Sequence, residues 1–118
     1  MAIDPLYLIK NDLQPNYPMT VKDSAGNLID LSGATIRCTM KLEGGAVKID
    51  RRTTGITIAN QGTNKGEADL AWQSGDTDTP GTYDIEFEIT PASGGKFTLP
   101  SPFQGPAKVV ITGSLDSL

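Results

Sequence analysis

The sequence predicts an all-β domain, a sandwich or barrel, and three observations carry that prediction. Hydrophobicity alternates with a period of two along most of the chain. Turn residues recur about every 8–12 positions. No window shows apolar residues at three-four spacing over three turns, so no helix of ordinary length is expected.

The clearest strand is Thr82-Tyr83-Asp84-Ile85-Glu86-Phe87-Glu88-Ile89-Thr90. Tyr83, Ile85, Phe87 and Ile89 share one face, and Asp84, Glu86 and Glu88 the other. A slip of one residue would bury three carboxylates, so the register is strongly specified. Ala34 to Leu42 alternates equally well, with Ile36, Cys38 and Met40 on the apolar face. Weaker strands are expected at Tyr7 to Lys10, Pro18 to Lys22, Val47 to Asp50, Ile56 to Ile58, Glu67 to Trp72, Phe97 to Leu99 and Lys108 to Thr112. Between them lie turn formers. Asp23 to Asn27 reads as a hairpin-type turn, and Gly44-Gly45 and Ser93-Gly94-Gly95 close hairpins. Pro80-Gly81 suits the central pair of a type II turn. The segment Pro100 to Pro106 holds too many prolines for a sheet interior.

Composition narrows the function. The chain has 118 residues, enough for one domain, 1–118, with short arms at 1–5 and 114–118. Its 13 glycines and 8 prolines fit many short elements. A formal charge of -4 argues against a nucleic-acid partner, which needs clustered Lys and Arg. It argues equally against an anionic membrane surface. No apolar run approaches the ~20 residues of a membrane-spanning helix. The first residues lack the basic and long apolar regions of a signal peptide, so export by that route is not expected.

The chain has no histidine and one cysteine, which excludes Ser-His-Asp and Cys-His catalysis and an internal disulfide. Cys38 reads as a small buried hydrophobe. No enzyme activity, cofactor or metal is expected. Asp76 and Asp78 offer oxygen donors of the kind calcium takes, but the spacing of a full calcium loop is missing, and a turn role is the plainer reading.

Candidate interaction residues are few. Asp84, Glu86 and Glu88 recur along one strand face about 7 Å apart. They form either a solvated face, cross-paired with Arg37 and Lys41, or a negative stripe for a basic partner. Arg51-Arg52 is the adjacent basic pair, a rim contact in an oligomer or a solvated strand end. Phe103, among prolines, serves as an anchor for a partner or as a lid on the sandwich end.

Three stretches also resemble a known family. Asp23-Ser24-Ala25-Gly26-Asn27-Leu28-Ile29-Asp30-Leu31-Ser32-Gly33-Ala34-Thr35 is similar to a "D-x-x-G-x-x-(V/I)-D-L-(S/T)-G-A-T" stretch of immunoglobulin-like domains in tailed-bacteriophage baseplate and tail proteins. The segment Trp72 to Thr90 resembles that family's "W-x-x-x-D-T-x-x-x-G-x-Y-x-x-E-F-E-V-T". Lys96-Phe97-Thr98-Leu99-Pro100 matches a closing "x-x-T-x-P" less firmly. The family includes the N-terminal domain of the baseplate upper protein. The resemblance implies an immunoglobulin-like antiparallel β-sandwich in a virion structural protein, located in the tail and, during assembly, in the host cytoplasm. It implies other virion proteins and copies of itself as partners. Tyr83, just after Gly81-Thr82, is then placed to form a tyrosine corner, and Trp72 to be the central core aromatic. A receptor- or carbohydrate-binding sandwich and a tail assembly chaperone are the alternative readings.

Overall fold

The longest alternating run forms the longest strand. In the computed structural model, which describes residues 6–23, 25–99 and 108–113, Gly81–Thr90 is a ten-residue strand. In chain order the strands are β1 (Leu6–Ile9), β2 (Tyr17–Thr20), β3 (Thr35–Leu42), β4 (Val47–Arg52), β5 (Ile56–Ile58), β6 (Glu67–Leu70), β7 (Gly81–Thr90), β8 (Phe97–Leu99) and β9 (Lys108–Thr112). No helix occurs among the described residues.

The strands make two sheets. One runs β1-β9-β7-β3-β4, with β8 beside the far half of β7; the other runs β2-β6-β5. Among the described residues all strand pairings are antiparallel except β1 with β9. The expected register of β7 holds: Tyr83, Ile85, Phe87 and Ile89 are buried, while Asp84 and Glu86 are exposed and Glu88 is half-buried. Pairing with β3 sets Ile36 beside Ile89, Cys38 beside Phe87 and Met40 beside Ile85. Inward side chains of both sheets join one hydrophobic cluster, with Met19, Ala68 and Leu70 coming from the smaller sheet. Across the gap the rings of Tyr17 (β2) and Phe87 (β7) lie 5.2 Å apart at 39°, an aromatic contact of the tilted kind. The class is therefore a β-sandwich-like all-β fold.

Two expectations need correcting. The alternation read through Trp72 stops as a strand at Leu70. Both neighbours of β6 leave it there. Gly55, at φ +88°, turns the chain into β5 and gives the last bond on that side, Ala71 N to Gly55 O at 2.8 Å. On the other side β2 begins only at Tyr17, opposite Leu70. Trp72 still packs inside, 4% exposed, because its indole Nε1 donates to the Pro15 carbonyl at 2.9 Å. The second correction concerns Pro80-Gly81. Gly81 opens β7 at φ +153°, not the about +80° that a type II turn asks of its third residue.

The Tyr83 hydroxyl donates to the Thr79 carbonyl at 2.6 Å, four residues upstream, as a tyrosine corner requires. The ring is buried, so this hydroxyl has no water to fall back on. Tyr83→Phe is expected to cost about 1.5 kcal/mol, read as a lower denaturant midpoint at unchanged slope.

Candidate interaction surface

The outward face of the larger sheet carries the acidic row. The β3–β7 register puts Arg37 opposite Glu88, Thr39 opposite Glu86 and Lys41 opposite Asp84. Glu88 collects three cations, Arg51 at 3.2 Å, Lys96 at 3.5 Å and Arg37 at 3.8 Å. Asp84 pairs with Lys108 of β9, which also reaches Glu43 at 2.6 Å. Those two carboxylates hold the Lys108 ammonium above its usual range, Asp84 contributing most. Among the described residues Glu86 alone of the row has no ion pair. The face is thus a charge mosaic rather than a negative stripe. Exposed pairs of this sort add little stability; they do hold the face solvated.

Arg51 and Arg52 go separate ways. Strand β4 gains an extra residue against β3 at two places, and Arg51 sits in one of these bulges at φ +49°. Its side chain stays exposed and points to Glu88. Arg52 is not at a solvated strand end. Its guanidinium forms a two-pronged pair with Asp76, at 2.8 Å and 2.7 Å. Asp76 is 6% exposed and also accepts the Gln73 amide at 2.7 Å. Beside this carboxylate the guanidinium is held further above its usual range.

Asp76 and Asp78 pair with different cations. Asp78 pairs instead with Lys48 and accepts the Thr79 hydroxyl. No cluster of three or more metal-ligating side chains occurs among the described residues. Cys38 is fully buried, and burial pushes its thiol up to about 12. Phe103 and the arms 1–5 and 114–118 lie outside the described residues.

Several exposed aspartates act locally. Asp23 Oδ1 accepts the amides of Ala25 and Asn27, and the bond from Asn27 does most to hold its carboxyl below the usual range. Ser32 does the same for Asp30, and Lys48 for Asp78. These folded-state values lie below the unfolded ones, so the stabilisation is present above the ordinary aspartate range and lost as pH falls through the folded values. A melting temperature flat from pH 8 to 5 and falling below about pH 4 is the expected profile in a thermal scan.

The structure adds two features that the sequence did not single out. Gln61 fastens the long polar turn: its Oε1 accepts Leu31 N at 2.9 Å and Gly66 N at 2.8 Å, and its Nε2 donates to Ala59 O at 2.8 Å. The second is an apolar margin. Tyr7 and Ile9 of β1 are 64% and 42% exposed, next to half-buried Val110 of β9. The sequence showed a short apolar run there, but no periodicity reveals which strand ends up at a sheet edge. No protein-family model and no curated protein matches the chain.

Proposed function

We propose that this chain is an immunoglobulin-like structural protein of a bacteriophage tail or baseplate that works through contacts with other virion proteins and with copies of itself. The observation that supports this reading best is the placement of the stretch resembling the phage family. Trp72 to Thr90 contains a buried Trp, the Tyr83–Thr79 corner and the whole central strand β7. The strand order is consistent with it. In immunoglobulin lettering β9-β7-β3-β4 would be G-F-C-C′ and β2-β6-β5 would be B-E-D. The Tyr corner then falls at the start of F, where that fold has it.

A carbohydrate-binding sandwich needs exposed aromatic platforms. Trp72, Tyr83 and Phe87 are buried, and among the described residues Tyr7 is the one aromatic side chain more than half exposed. That favours protein contacts over sugar rings.

The test is quantitative mass spectrometry of purified particles from the phage that encodes the chain. A fixed copy number per particle, with antibody label on the tail, is expected. Presence in lysate but absence from mature particles would replace the structural role with an assembly-chaperone role.

A further inference from the structure

We infer that β1 is a self-association edge, pairing antiparallel with β1 of a second copy about a two-fold axis. The inference deepens the proposed function by naming the contact through which copies meet.

Sheet edges invite pairing, and proteins usually block them with bulges, charges, proline or short length. The other edges here carry such devices. Strand β4 is bulged and holds Lys48, Asp50, Arg51 and Arg52. Strand β2 has Pro18 in its middle. Strands β5 and β8 are three residues each. Strand β1, Leu6-Tyr7-Leu8-Ile9, has no charge, proline or bulge, and among the described residues it pairs with β9 alone.

Its open hydrogen-bonding groups suit a copy of itself. Lys10 N donates to Thr112 O at 2.7 Å, so the even residues of β1 turn their backbone toward β9. By alternation Tyr7 and Ile9 turn theirs to the open side. The Ile9 carbonyl accepts Asp12 N at 2.9 Å and keeps a second lone pair. An antiparallel pairing centred on Leu8 sets Tyr7 opposite Ile9 of the second copy, twice. Each such pair exchanges two main-chain bonds, using the open groups of Tyr7 and the Ile9 amide and sharing the Ile9 carbonyl with Asp12 N. The cross-strand neighbours are aromatic against β-branched, a favourable combination. Within the strand there is no charge to repel its own image. Lys10, just beyond it, falls opposite Leu6. The two exposed side chains of the strand complement each other, Tyr7 against Ile9 on both sides of the axis, which is why the occupant is assigned as a second copy.

A four-residue contact is small, so the dimer is weak, with a Kd on the order of 100 µM. Sedimentation equilibrium of the whole chain up to about 1 mM tests the pairing through two double variants of the exposed side chains. Tyr7→Lys with Ile9→Lys sets like charges opposite each other twice and is expected to raise Kd at least about tenfold. Tyr7→Lys with Ile9→Glu sets opposite charges there and is expected to keep the dimer, now weakened by salt. Circular dichroism verifies that both variants fold. A wild-type chain monomeric throughout, or a dimer that the two variants affect equally, overturns the pairing. A monomer that is still found in tails overturns the pairing alone and leaves the structural role standing.

Discussion

Phe87→Ala is expected to remove about 4 kcal/mol of stability. Phe87 is 2% exposed in the middle of β7, beside Cys38 of β3, and its ring meets Tyr17 of the opposite sheet. It therefore ties the two layers together at the centre of the cluster. Truncation loses the transfer energy of the ring and leaves a cavity that neighbours on two rigid sheets fill poorly. A domain of this size holds about 5–15 kcal/mol in total, so the variant is left close to the folding threshold. Phe87→Leu keeps much of the volume and should cost about 1.5 kcal/mol. Glu86→Ala, one residue away on the opposite face, should change stability by no more than about 0.5 kcal/mol. Urea titration of the three variants reads the alternation directly. Equal losses at positions 86 and 87 would contradict the two-layer arrangement.

Asp76→Ala should be nearly as damaging, at about 3 kcal/mol. The carboxylate is almost fully buried, faces both guanidinium nitrogens of Arg52 and accepts the Gln73 amide. Its removal leaves a half-buried cation without its counter-charge and a backbone amide without its acceptor. The cost is set below the top of the range for buried pairs because the Arg52 side chain keeps 24% of its exposure. Asp76→Asn retains an acceptor for Gln73 and should lose about half as much. Calcium or a chelator should leave the melting temperature of the native chain unchanged, since both Asp76 oxygens are engaged by Arg52. A rise in melting temperature with calcium would return Asp76 and Asp78 to the role of metal ligands.

The strands were legible because hydrophobic alternation is a local signal. Thr35 to Leu42 and Gly81 to Thr90 each write their buried face in alternate residues of one short stretch, and the structure follows them. The Tyr83 corner was also local, its acceptor only four residues upstream. What failed depended on distant partners. The end of β6 is set by Gly55 and by the start of β2, neither of them near Trp72 in sequence. Arg52 and Asp76 each stood out in the sequence, but for different reasons, and nothing local joined residues 24 positions apart. The acidic row was visible as three carboxylates, whereas its neutralisation by Arg51, Lys96 and Lys108 needed the strand order. The exposed margin at Tyr7 and Ile9 likewise follows from the place of β1 at the end of its sheet.

The charge mosaic and the uncharged edge make opposite demands on salt. Contacts through Asp84, Glu86 and Glu88 would weaken as ionic strength rises, because exposed charges are screened within about 10 Å at 0.1 M. Contacts through β1 have no charge to screen. The most direct measurement is the light-scattering mass of the pure chain across concentration, at low and at high salt. The expected result is a mass that climbs from the 12.5 kDa monomer toward twice that value, equally in both salts. A mass fixed at the monomer, or an association that disappears in high salt, would contradict the account.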